Sequence, residues 1–213
     1  MKPFTTHRGI IAPLNRANVD TDQIIAKQFL KSIARTGFGP QLFYVLRYLP
    51  DGKPNPDVSL NLPRYQNASI LVARNNFGCG SSREHAVWAI DQYGFRAVIA
   101  PWVQNGNDRI PAFADIFRNN SFKNALVTIE LSSAEVDQIF DTIEKNPGFE
   151  AGVDVQKQTI SLYSKPSELS FHFELDAAIK ERLLHGLDDI GLSLKNSSAI
   201  TEFEKPHHGQ MKW

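Results

Sequence analysis

The sequence predicts an α/β fold, and three stretches predict it. Residues 69–73 form a short apolar run that leads through a glycine-containing turn into residues 84–93, where Ala86, Ala89, Ile90 and Tyr93 recur at helical spacing. A second apolar run, residues 96–101, follows that helix, and strand, helix and strand in succession give a parallel pair. A third run, residues 125–130, precedes Ser132 and Glu135, a capping-box pair that opens a helix over residues 134–145. In such folds the site lies where the strands end.

The remaining elements follow in chain order. Residues 4–14 are β-compatible, with Ile10 and Ile11 apolar, until Pro13 and the polar residues 15–18 break the run. Asp20 and Asp22 come next. With no histidine or further carboxylate clustered nearby, they read as turn formers rather than metal ligands. Residues 27–40 mix cations with Phe29, Leu30 and glycines; spacing alone favours a short surface helix ended by Gly37 over a mobile loop that touches an anionic substrate. Residues 42–46 read as packing and residues 50–56, rich in proline, as a turn. Residues 102–111, rich in Asn and Gly, read as an exposed loop, with Trp102 and Arg109 available to a partner or to the site mouth.

Residues 112–123 read as helical, and the helix at 134–145 turns Val136, Ile139, Phe140 and Ile143 to one side before Pro147 and Gly148 stop it. Residues 153–155, 159–162 and 169–175 alternate as half-exposed strands do, with His172 on the face opposite Phe171 and Phe173. Asp176 caps a last helix through Leu184 that ends at Gly186. The tail from Lys205, with His207 and His208, reads as flexible.

The totals narrow the function. At 213 residues and 42% hydrophobic composition, with no repeat or long linker, residues 1–213 read as a single domain. Lys plus Arg and Asp plus Glu are equal at 23 each, so no net field holds nucleic acid or an anionic membrane, and small molecules or proteins are the expected partners. Cys79 is the sole cysteine. The chain therefore forms no internal disulfide and cannot alone ligate an iron–sulfur cluster, so it is expected to bind no metal or cofactor itself. The first residues lack the apolar core of a signal peptide, and no stretch approaches the roughly 18 apolar residues of a membrane span, so a cytoplasmic protein is expected.

The chemistry concentrates after residues 69–73. Gly78 and Gly80 permit positive φ and close approach of a ligand, and the helix start that follows presents N–H groups, two hydroxyls at Ser81 and Ser82, and the guanidinium of Arg83. That set suits a carboxylate or an oxyanion. Ser81 and Glu84 also fit a capping box, a role compatible with an activated serine, because hydrogen bonds and positive charge favour the ionised oxygen. Three other loop chemistries fail. A dinucleotide fingerprint needs glycine where Arg83 stands, a P-loop needs Gly-Lys-Ser/Thr, and a hydrolase elbow needs glycine two residues after the serine, where this chain again has Arg83.

The run Gly78, Cys79, Gly80, Ser81, Ser82, Arg83, Glu84, His85 resembles the Gly-x-Gly-Ser-Ser-Arg-Glu-His signature of the swivel domain in the aconitase superfamily. Residues 18–25, 113–120 and 186–192 resemble further segments of that family, so the resemblance covers nearly the whole chain. It implies a swivelling β/β/α domain of the aconitase C-terminal (domain 4) type that acts as half of a hydro-lyase, interconverting 2-isopropylmalate and 3-isopropylmalate in leucine biosynthesis. It implies a large partner subunit holding a [4Fe–4S] cluster. Carried over residue by residue, Ser81 is the base, Arg83 activates it and holds substrate carboxylate, and Ser82 donates to a carboxylate oxygen. Glu84 and His85 shape the turn. The family's substrate-discriminating loop falls on residues 26–40, which makes Phe29 and Leu30 candidates for the alkyl group and Arg35 or Lys27 for a carboxylate. Thr21 and Asp22, in the upstream segment, join the substrate-binding set. Residues 102–111 look inserted relative to the family. A relative acting on homoaconitate, citramalate or another malate, or a non-catalytic anion-binding module, remains the alternative.

Overall fold

The computed structural model describes residues 1–31, 35–81, 83–164 and 168–205. Its strands, in chain order, are β1 (Thr6–Leu14), β2 (Ile70–Ala73), β3 (Ala97–Asn105), β4 (Asp108–Ile110), β5 (Val127–Ser132), β6 (Glu150–Asp154), β7 (Thr159–Tyr163) and β8 (Leu169–His172). The helices are α1 (Thr21–Ile24), α2 (Tyr44–Arg47), α3 (Glu84–Tyr93), α4 (Asp115–Lys123), α5 (Ser133–Lys145), α6 (Ala177–His185), α7 (Asp189–Leu194) and α8 (Ser197–Glu204).

The strands form one sheet of two characters. β1, β2, β3 and β5 lie parallel, with β2–α3–β3 and β3–α4–β5 as the crossovers, while β6, β7 and β8 continue as an antiparallel meander. β1 joins the two parts. Its first half pairs with β6, from Thr6 opposite Asp154 to Ile10 opposite Glu150, and its second half pairs with β2, from Ile11 opposite Ile70 to Leu14 opposite Ala73.

β2 is buried at every position, as a parallel strand covered on both faces must be, and β6 and β7 alternate as one-sided strands do. Val136, Ile139 and Ile143 of α5 are buried in the core with Ile70, Val72, Val98 and Ile99 of the parallel strands. Ser132 caps α5 in the expected capping box, with Glu135 answering the Ser132 N–H at 2.8 Å. Asp176 caps α6, Gly186 ends it at φ +66°, and His172 is exposed between buried Phe171 and Phe173, all as the pattern predicts.

Four sequence expectations change. Pro13 does not end β1. Its carbonyl accepts from Ser59 Oγ, so the residue's polar edge points away from β2, where a missing N–H costs no ladder bond. Residues 102–111 are not a loop but a hairpin: β3 runs to Asn105, turns at Gly106 (φ +60°) and pairs with β4, with Arg109 stacked 4.6 Å over Trp102. Residues 27–40 hold only two short 3₁₀ turns, Lys27–Phe29 and Gly39–Gln41, in place of a surface helix, and residues 32–34 lie outside the described set. Beyond Gly186, where no helix is read from the sequence, α7 and α8 continue the chain. His207 and His208 lie outside the described residues.

Candidate active site

The turn after β2 is clamped by backbone on both sides. Asn18 N–H donates to the Asn75 carbonyl (3.0 Å), Gly78 N–H to Val19 (2.7 Å) and Thr21 N–H to Cys79 (2.9 Å), so residues 18–21 run alongside the turn as a strand would. On the other side Phe77 N–H donates to Ala112 (2.9 Å) and Ala114 N–H to Phe77 (3.1 Å). Phe77 is fully buried against Phe43, Phe113 and Phe117, which drives the turn into the core.

Glycine is required at Gly78. Its φ is +76°, and a Cβ there would stand 2.2 Å from the Phe117 ring. Asn76 and Gly80 also have positive φ, at 57° and 87°, so the backbone zigzags and delivers Ser81 to the surface.

Ser81 is exposed, and its hydroxyl has no hydrogen-bond partner among the described residues. The expected capping box with Glu84 is absent. α3 starts later than the sequence suggests, with Arg83 as its N-cap residue and no side-chain cap bond. Glu84 instead accepts from Asn124 Nδ2 (3.3 Å), and His85 packs edge-on to Phe38 and against Trp88. Both therefore shape the surroundings. Ser82 lies outside the described residues.

Arg83 is largely withdrawn from water, 14% exposed, and binds the Asp22 carboxylate, which also lies 3.7 Å from Lys27 Nζ. Asp22 therefore holds two cations toward the turn. Asp22, expected in the substrate-binding set, thus stands between two cations at the edge of the turn. Thr21, also expected in that set, is buried, and its hydroxyl donates to the Ser81 carbonyl at 2.8 Å, fixing the serine.

These residues share a cavity of about 240 Å³, into which Thr21, Gly78, Gly80, Ser81 and Arg83 face. Its opposite wall is the start of α4, from Ala114 to Phe117, with Ile116 54% exposed at the rim. The sequence reading noted residues 113–120 but assigned no site residue there. The signal was available in the rule that parallel strands gather sites at their carboxyl ends.

The other expected contacts divide. Lys27 comes to the cluster through Asp22. Phe29 and Leu30 pack partly buried on the core, Phe29 edge-on to Tyr44 at 5.2 Å. Arg35 is exposed, and its carbonyl accepts from Gln92 Nε2 (2.8 Å), toward the far end of α3 from Ser81. Cys79 sits beside Asp20, which caps α1; burial first, and that carboxylate second, push its thiol above the ordinary range.

A serine whose hydroxyl has no partner among the described residues, a guanidinium beside it and an apolar rim form a set suited to an anionic molecule. The family model described as the aconitase C-terminal domain matches residues 1–134, and the chain belongs to that family. The 3-isopropylmalate dehydratase small subunit of Desulforapulum autotrophicum is 54% identical over 204 residues, covering 96% of this chain and 95% of that one. Within the family, this chain belongs with the small subunits of 3-isopropylmalate dehydratase. A solved 3-isopropylmalate dehydratase structure from Methanocaldococcus jannaschii, 23% identical, superposes with a TM-score of 0.63 over 93% of this chain and 99% of the other, showing the same α/β fold.

Proposed function

We propose that this chain, working as one swivel domain, supplies half of the active site that isomerises 2-isopropylmalate and 3-isopropylmalate through 2-isopropylmaleate in leucine biosynthesis. The observation that carries this is the exposed Ser81 hydroxyl, without a partner among the described residues, on a turn clamped from both sides and in one cavity with Arg83.

Dehydration removes a proton alpha to a carboxylate while hydroxide leaves. Ser81 Oγ takes that proton, Thr21 holds the serine backbone in place, and Arg83, oriented by Asp22, stabilises the anionic oxygen and a substrate carboxylate with its remaining N–H groups. Ser82 donates to a carboxylate oxygen. Lys27 and Arg35 attract the second carboxylate, and Phe29, Leu30 and Ile116 cover the alkyl branch.

The leaving hydroxide needs a Lewis acid. A [4Fe–4S] cluster supplies one when bound, but the donor set here does not fit it: Cys79 is a single thiol held protonated by burial, and the described residues contain no cluster of three or more His, Cys, Asp or Glu that could hold a metal. The reading therefore assigns the cluster to a large partner subunit, as a small subunit of the family requires. It places both in the cytoplasm, where a reducing environment preserves thiolate-held iron. No helix among the described residues is long and apolar enough to cross a membrane.

The test is turnover of 3-isopropylmalate, beside citramalate and homoaconitate, by the chain alone and by its anaerobic mixture with the large subunit. Activity only in the mixture, fastest on isopropylmalate and abolished by Ser81→Ala, is the expected result. No turnover by a mixture with an intact cluster overturns the reading.

A further inference from the structure

A larger cavity, about 540 Å³, lies on the other side of α4 from Ser81. It opens between the two ends of the sheet. β5 pairs only with β3 and β8 only with β7, and Thr128, Glu130 and Ser132 of β5 line the same cavity as the residues that follow β8. Proteins normally cover such free edges. Here the edges face each other across an open space.

The walls carry unspent hydrogen-bonding capacity. Thr128 is 3% exposed, and its hydroxyl and Glu130 Oε1 are both buried with no hydrogen-bond partner among the described residues. Buried acceptors left unpaired are costly, and a carboxylate oxygen the more so. The other polar groups are mostly committed. Arg109 lies 3.5 Å from Glu130 Oε2, Glu135 bonds Ser132, and Asp176 caps α6. Arg118 reaches the cavity from α4 with its guanidinium 5.7 Å over the Phe122 ring, and, like Glu174 of the same lining, it has no ion-pair partner among the described residues.

The site thus offers a cation on one wall and an anionic acceptor with a hydroxyl on another, with Trp102, Leu131 and Phe173 between. We propose that it binds a small α-amino acid with an apolar side chain, its carboxylate on Arg118 and its ammonium on Glu130 Oε1 and Thr128 Oγ1. Charge-assisted bonds satisfy both orphan oxygens and engage the Arg118 guanidinium, and a zwitterion adds no net charge to a lining that already sets four carboxylates against two arginines. The volume lies within the range of small-molecule sites. This inference does not rest on the Ser81 reading.

The test is calorimetric titration of the full chain with L-valine and L-phenylalanine, with propanoate and propylamine as half-ligands and L-malate as the competing class. The expected result is saturable binding of an amino acid at least about tenfold tighter than either half-ligand, weakened by about tenfold or more in Arg118→Gln and in Thr128→Val, and unchanged in Ser81→Ala. Thr128 is buried; should its variant fail to fold by thermal melt, Arg118→Gln, on a partly exposed helix, carries the test alone. No saturable binding up to about 10 mM, equal binding of propanoate, or tighter binding of L-malate overturns the proposal, the first meaning that the cavity holds only water.

Discussion

The two halves of the candidate site are built to different standards. Residues 75–81 are pinned by five backbone hydrogen bonds and a cluster of phenylalanines, whereas residues 27–31 are held by a single 3₁₀ turn, the exposed Lys27–Asp22 pair and the partly buried packing of Phe29 and Leu30. The difference teaches a division of labour. Proton transfer needs its base placed to a fraction of an ångström, while recognition of an alkyl branch tolerates adjustment.

Ser81→Ala tests the comparison hardest. With the large subunit present it should lower turnover about 10²- to 10⁴-fold, the usual worth of a positioned base, while thermal unfolding of the chain stays where it was. A pair of glycines tests it next. Gly78→Ala forces a Cβ to 2.2 Å from Phe117 at φ +76° and should cost about 2–3 kcal/mol in denaturant unfolding. Gly37→Ala, at φ +94° with nothing within 4 Å of its added carbon, should cost only the backbone term, about 1–2 kcal/mol. Equal losses would erase the distinction between clamped turn and loose loop.

Smaller effects belong to the loop. Lys27→Ala and Phe29→Ala should each raise KM about three- to tenfold with kcat within about twofold, since their contacts serve ground state and transition state alike. A matching fall in kcat would mean that the loop also positions the reacting atoms. The smallest effect is read at Cys79, within the turn. Its folded pKa is raised, so the protonated thiol persists to higher pH than in the unfolded chain; alkylation should be slower than that of a free cysteine near pH 8.5 and should catch up only above it. By linkage, that thiol's contribution to stability is present below its unfolded pKa and is lost as pH rises through the folded one. Gly78→Ala should speed the alkylation.

The parallel strands were legible because β2 and the first half of β3 are unbroken apolar runs, β5 alternates apolar with polar residues, and helical periodicity separates them, and α5 because both members of its capping box sit in sequence. Ser81 and Arg83 stood out because few chemistries use glycines, hydroxyls and a guanidinium at one helix start. Pro13 misled because local propensity cannot know that Ser59, far along the chain, meets its carbonyl. The capping role of Ser81 failed for a similar reason. Residues 18–21 and 112–114 clamp the turn, and Arg83, with extended φ and ψ, is the N-cap residue, so α3 begins only after it. The bonds of Thr21 to the Ser81 carbonyl and of Asp22 to Arg83 span some sixty residues of chain, and only the fold brings them together.

The place of β1 in the sheet bears on how the molecule is made. Its second half finds β2 after some sixty residues of chain, but its first half waits for β6, since the pairing of Thr6 to Ile10 runs to Asp154 to Glu150. On the ribosome that interval is on the order of ten seconds. For its duration the nascent chain carries a nearly finished parallel core with one raw edge, from Thr6 to Ile10, at the end of β1 away from the turn that presents Ser81. Sheets closed by such distant pairings form late and slowly. Accumulation of this chain in cells should therefore depend on how well that edge is shielded during synthesis, more than on the stability of the finished fold.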